Sequence, residues 1–272
     1  MKIAICFSGL LRDVNSTKTF WLDMINKHQM DVYASFWDDE NESLGDTFDN
    51  FKKTYNPKLL AIENFDAFKN TTQDIMSMYI NPPKNLMPML QESVKGAWFA
   101  PMWYQIWKCN NLCKSSGIEY DIVIRARIDT FFDDRLVFIK NNMLNLPLGS
   151  MHCPDWGIES CGMIDCFAYG PPKIMDYYSY LFLQLMNYHN QGHYLFPPEH
   201  LLSVHFSKVK VKIRYFMSYM TISRTSKGIE NDVYNKFVQE QNDMIVWSND
   251  MVFNPNNSLA DFRIEIDETE FL

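Results

Sequence analysis

The segment from Tyr120 to Thr130, Tyr-Asp-Ile-Val-Ile-Arg-Ala-Arg-Ile-Asp-Thr, constrains this chain more than any other. Its continuous β-branched run predicts a buried strand, and a strand buried on both faces belongs to a sheet with helices above and below it. The run nevertheless carries Arg125, Arg127 and Asp129, and a buried charge without a partner is costly. These charges are therefore expected at or near the strand's C-terminal end, where an open α/β sheet places its ligand crevice. Arginines facing a ligand there match a phosphate or carboxylate. The aspartate beside them suits a divalent cation or a sugar hydroxyl, so the set points to a metal-diphosphate or a sugar nucleotide. The alternative is an internal ion pair between Arg127 and Asp129 on one strand face.

Other elements follow from the same periodicities. Lys2 to Phe7 reads as a central parallel strand, and Ser8-Gly9-Leu10-Leu11-Arg12 as the turn after it. One glycine is not a dinucleotide fingerprint. Gly9 still allows close approach of backbone to a nucleotide, and Arg12 is either a partner for its phosphate or base or a solvated loop arginine. Asn15-Ser16 caps a helix running to His28, and Asp31 to Trp37 is a second strand. Lys58 to Ile62 is a short strand, Phe65 to Ile80 contains a helix, and a long helix starts at Trp98 and leads into the charged strand. Strand, helix, strand in that order implies parallel pairing. Gly162 to Tyr169 reads as a strand containing Asp165, Pro171-Pro172 opens a helix to His189, and Glu199 follows Pro197-Pro198 at the start of another. Val209 to Phe216 and Tyr219 to Arg224 read as a hairpin.

Composition closes off several function classes. The formal charge of −8 and pI near 5.2 argue against nucleic-acid binding, which needs a basic face. The six cysteines contain no CxxC pair, so zinc is not expected and a reducing compartment is. No signal peptide or transmembrane run is read, which suggests a cytoplasmic protein and leaves peripheral membrane attachment open. With 47% hydrophobic residues the chain can build a sizeable core. Of the histidines, His205 is the one considered as a single ligand to manganese.

Three blocks, Lys2 to Arg12, Asp31 to Asp38 and Tyr120 to Asp129, together resemble a group of GT-A-type glycosyltransferases found in bacterial surface-polysaccharide clusters and in large viruses. Met163 to Gly170 and Pro198 to Leu202 are similar to that group's later blocks, and the resemblance spans roughly residues 1 to 225. It implies a single α/β, Rossmann-like domain with a mixed, centrally parallel sheet flanked by helices. Residues 1–135 would bind a nucleotide-sugar donor, residues 136–225 a glycan or other hydroxyl acceptor, and 226–272 form an extension. Enzymes of this type hold Mn2+ or Mg2+ with an Asp-x-Asp element. Here that place reads Arg127-Ile128-Asp129, which leaves Asp129 as the metal ligand and offers Arg127 to the diphosphate instead.

Sugar transfer needs stabilisation of the leaving diphosphate and a base for the acceptor hydroxyl. Ser8, Gly9, Arg12, Arg125, Arg127 and Asp129 are candidates for donor binding, and Asp165 and Glu199 for acid–base chemistry. Glu199 also has a helix-capping reading and Asp165 a structural one. Other functions stay open: a sugar- or nucleotide-binding module without turnover, a phosphohydrolase using Asp129 with Asp133 and Asp134 around a cation, and an interaction protein.

Overall fold

The computed structural model describes residues 1–12, 14–38, 48–71, 99–132, 150–154, 163–193, 198–209, 211–216 and 220–222. Strand β1 (Ile3–Leu10) is buried through its first six residues, because it lies between two parallel neighbours, β2 (Asp31–Asp38) and β4 (Ile122–Ala126). Strand β3 (Leu59–Asn64) adds to β2 in parallel. On the other side β7 (Phe167–Gly170) pairs antiparallel with β4 and with β6 (Ser150–Pro154), and β8 (Lys212–Phe216) runs parallel to β6. The seven-stranded order is β3-β2-β1-β4-β7-β6-β8, in which β7 alone is reversed. The α/β fold with a mixed sheet, parallel at its centre, is thus the one expected.

Helices cover both faces. Alternation along β1 sends Ile3, Ile5 and Phe7 to one side, where they pack with Trp21, Met24 and Ile25 of α1 (Val14–His28) and Phe51 and Tyr55 of α2 (Phe48–Tyr55). Phe7 is fully buried, with Trp21 edge-on at 5.1 Å, a contribution of about 2–3 kcal/mol from its area. On the opposite face Ala4 and Cys6 belong to a second core, built with α4 (Phe99–Ser115), α5 (Pro172–Asn190) and α6 (Pro198–Phe206). Pro172 stands at the start of α5, where its missing N–H costs nothing. The short α3 (Phe65–Thr71) places Phe65 and Phe68 against Trp37 at the end of β2.

Several expectations change. The strand at 120–130 stops at Ala126, and Thr130–Phe132 forms a separate strand, β5, paired with β9 (Met220–Ile222). The expected hairpin at 209–224 is absent, since β8 joins the main sheet and β9 the small one. Ser8, Gly9 and Leu10 remain within β1 instead of turning. Helix α1 begins at Val14, so Asn15 and Ser16 lie inside its first turn. The proposed extension at 226–272, and Asp133 and Asp134, lie outside the described residues.

Candidate functional site

The turn that follows β4 is built from both sides. The Arg127 N–H donates to the Cys166 carbonyl (3.1 Å), while Thr130 closes the turn through its N–H (3.3 Å) and hydroxyl (2.7 Å) onto the Arg127 carbonyl. Ile128 buries its side chain in the α1-side core. Its carbonyl accepts from Thr17 Oγ1 (2.7 Å) and Trp21 Nε1 (3.2 Å) of α1. A buried turn leaves backbone groups that must find partners, and α1 supplies them. Trp21 reads from sequence only as part of an apolar stripe, and nothing in the sequence marks its indole N–H or Thr17 as braces for this turn.

This turn sets the first group of candidate residues. Arg127 grips Asp129 with two parallel bonds, Nε to Oδ1 at 2.9 Å and Nη2 to Oδ2 at 2.7 Å. Arg12, reaching over from just beyond β1, brings its Nε to 3.4 Å from the same Oδ2. Asp129 is 2% exposed, whereas the two arginine side chains are 18–19% exposed. Burial opposes charge on Arg127, but the Asp129 charge and its two bonds outweigh that and hold the guanidinium firmly protonated. The ion pair weighed from sequence is therefore present, on a turn instead of a strand face, and Arg12 is its third member.

A second group lies alongside. Asp165 is buried in the irregular residues before β7, not within a strand as its flanking residues suggest. Its Oδ1 accepts from the Cys166 thiol at 3.2 Å, and its backbone carbonyl accepts from Tyr178 Oη at 3.1 Å. Burial and the Asp165 charge both push Cys166 up, which keeps it a thiol and a donor. Asp165 is close enough to add to the charge on Arg127 and to act on Glu199. Glu199 stands in the first turn of α6. Its carboxyl is raised to about 7 by burial and then by the Asp165 charge, against the pull of its own backbone N–H. Arg12, Arg127, Asp129, Asp165 and Glu199 thus form one electrostatically linked set.

The remaining candidates lie elsewhere. Gly9 adopts φ +122°, and nothing lies within 4 Å of where a Cβ would stand, so the end of β1 faces open space among the described residues. Ser8 and Arg125 point away from the cluster, into the layer between the sheet and α4 and α5. Arg125 shares the Cys6 face of the sheet, in register with it, and is 3% exposed. Ser8 Oγ is buried without a partner.

The surroundings of Asp129 do not suit a divalent cation. Both of its oxygens already accept from guanidinium groups, whose positive charge would oppose a second cation. No three His, Cys, Asp or Glu side chains among the described residues are arranged to share an ion. His205 has both ring nitrogens engaged, Nδ1 with Tyr188 Oη and Nε2 with the Tyr177 carbonyl, at 2.7 and 2.8 Å. Burial drives its pKa down to about 4, so it is a neutral core histidine and not a ligand.

Comparison with known proteins gives little beyond this. No family and no curated protein matches the chain. Among solved structures, the chain is similar to a glycosyltransferase involved in the glycosylation of the major capsid of PBCV-1. The identity is 9%, over 80% of this chain and 83% of that one, with a TM-score of 0.42. No helix among the described residues is long and apolar enough to cross a membrane.

Proposed function

We propose that the chain is a glycosyltransferase that moves a sugar from a nucleotide-diphosphate donor to a hydroxyl acceptor, as the resemblance of its sequence blocks implies. The observation that carries the reading is the clamp at the end of β1 and β4, where buried Asp129 holds Arg12 and Arg127 together. Within the clamp two guanidiniums meet one carboxylate, and the partly exposed arginine donors match the oxygens of a diphosphate. Such preformed donors stabilise charge as it develops on a leaving group without having to reorganise.

Glu199 supplies the other half. A base works best with a pKa near the working pH, and burial beside Asp165 puts Glu199 at about 7. In the reaction the acceptor oxygen gives its proton to the Glu199 carboxylate and bonds to the anomeric carbon. The bond from that carbon to the diphosphate oxygen breaks, and the electron pair leaves with the diphosphate toward Arg12 and Arg127. Asp165 sustains the raised pKa of Glu199. The Mn2+ or Mg2+ implied by the resemblance finds no fitting donor set around Asp129 among the described residues, and no step here is routed through it.

The test is thermal unfolding and calorimetry of the full chain with UDP-, GDP-, dTDP- and CMP-sugars, each with Mn2+ and with EDTA. A donor that binds the native state raises Tm. The expected result is one nucleotide that binds in EDTA, with transfer to an acceptor and loss of binding in Arg127→Met. Silence from every donor in both conditions would overturn the reading, and binding that needs Mn2+ would overturn the arginine clamp as the diphosphate site.

A further inference from the structure

Arg125 is the charge that the clamp leaves out. Its side chain lies in the core between β4 and the helices α4 and α5, and Nε, Nη1 and Nη2 are all buried without a hydrogen-bond partner. It lines a cavity of about 10 Å³ with Cys6, Asn110, Tyr178 and Ser179 and with apolar side chains that include Ile106 and Met175. That is room for a single small particle, a water molecule or a monatomic ion.

None of the neighbouring groups among the described residues hydrogen-bonds to this guanidinium. Tyr178 Oη and Ser179 Oγ donate their protons elsewhere, to the carbonyls of Asp165 and Asp176. The Asp176 carboxylate is held by Asn110 Nδ2 at 2.7 Å and Lys114 Nζ at 2.9 Å. Asp165 accepts from Cys166 and makes no ion pair with Arg125. Cys6 and Tyr178 are both pushed well above their ordinary pKa, Cys6 chiefly by its bond to the Cys109 thiol and Tyr178 by burial, so neither provides an anion. A guanidinium is a permanent cation, and a charge buried as deeply as that of Arg125 strongly favours a counter-charge.

We propose that this cavity is a halide site, in which one chloride-sized anion accepts hydrogen bonds from Arg125 inside the core. The cavity is too small for phosphate, sulfate or any part of a nucleotide, so the site is separate from donor binding and does not depend on the proposed transferase activity. An anion held there binds the folded state alone, because the unfolded chain has no such enclosure.

The experiment compares the full-length protein in sodium chloride, sodium bromide and sodium gluconate at one constant ionic strength, which removes general screening as a variable. The expected result is a saturable rise in Tm with chloride or bromide over gluconate, of about 5–10 °C at a hundredfold excess over Kd. Arg125→Met is expected to abolish the halide effect and, in gluconate, to melt no lower than the wild type, since it removes an uncompensated charge. Crystals of the wild type soaked in sodium bromide are expected to show an anomalous peak within hydrogen-bond distance of Arg125, which keeps the proposal open to refutation even where the variant fails to fold. A wild-type Tm indifferent to halide, a halide effect that persists in Arg125→Met, or a water in place of the bromide peak each overturns it.

Discussion

Glu199 offers the sharpest test of the site, because its chemistry shows in stability as well as in turnover. The folded protein holds this proton up to about pH 7, whereas an unfolded carboxyl releases it near the ordinary value of about 4.3. Between those values the native state binds more protons than the unfolded chain. Raising the pH through that window therefore costs stability, and the cost is complete above about pH 7. For a fully enclosed carboxyl an interval of that size corresponds to about 4 kcal/mol; partial exposure and solvent screening reduce it to about 1–2 kcal/mol. Glu199→Gln keeps the shape and removes the titration. His205, lowered to about 4 by burial, works in the opposite direction, losing stability as pH falls below about 6.5, but it is common to both proteins and cancels in their difference. Urea unfolding at pH 5 and pH 8 is expected to show Glu199→Gln gaining about 1–2 kcal/mol on the wild type at the higher pH. Parallel pH profiles for the two proteins would refute the raised carboxyl and remove Glu199 as the base. In transfer, kcat/KM of the wild type is expected to climb tenfold per pH unit up to about 7 and then level. The variant should lose roughly 10²–10⁴-fold and show no such inflection.

Three further outcomes follow from the clamp. Asp129→Asn leaves two neighbouring guanidiniums without their shared carboxylate; with both arginines in partial contact with water this is expected to cost about 2–3 kcal/mol, a drop of roughly 4–12 °C in Tm, and a change within about 1 °C would show that the pairs contribute nothing. Thr17→Val removes one of two hydrogen bonds to the Ile128 carbonyl and is expected to cost about 1 kcal/mol, measured by urea unfolding, with donor affinity falling as the turn loosens. Gly9→Ala should destabilise by about 1–3 kcal/mol through its positive φ alone, since a methyl there meets nothing; calorimetric unfolding that matches the wild type would show that the β1 end relaxes into an extended backbone without cost.

Much of the fold was legible because its signals are local. The buried run in β1, the aromatic stripe of α4 and the proline pair opening α5 each specify an element without reference to the rest of the chain. The order strand, helix, strand then forces β1, β2 and β4 to run parallel. What the sequence did not display is where a strand ends when its residues continue to favour one. Ile128 has the side chain of a strand residue, yet it serves as a core plug at a turn, held there by Thr17 and Trp21 from a helix more than a hundred positions away. The same holds for β8 and β9, adjacent in sequence and read as a hairpin, which pair with β6 and β5 in different sheets. Long-range pairing of short strands is decided by what else is available to pair with, and alternation within one strand carries no information about that.

The three charges that organised the sequence argument met different fates, and the reason is geometric. On a continuous strand Arg125 and Arg127 would share a face, and both would enter the layer under α4 and α5. Ending the strand at Ala126 turns Arg127 out to Asp129 and Arg12 while Arg125 stays inside. The sequence could place charge at the end of β4, because burial without a partner is too costly elsewhere, but it could not say which arginine would find a carboxylate. Arg12 is 117 positions from Asp129, and no spacing rule connects them; only the parallel pairing of β1 with β4 brings their ends together. Asp165 and Glu199 are likewise joined by the fold alone, one before the reversed strand β7 and the other at the start of α6. A single reversed strand beside a parallel core therefore does more than complete the sheet. Because β7 runs against its neighbours, it begins at the end where β4 finishes, with Phe167 opposite Ala126, and the residues leading into it set the buried Asp165 carboxylate close enough to act on Arg127 of the clamp.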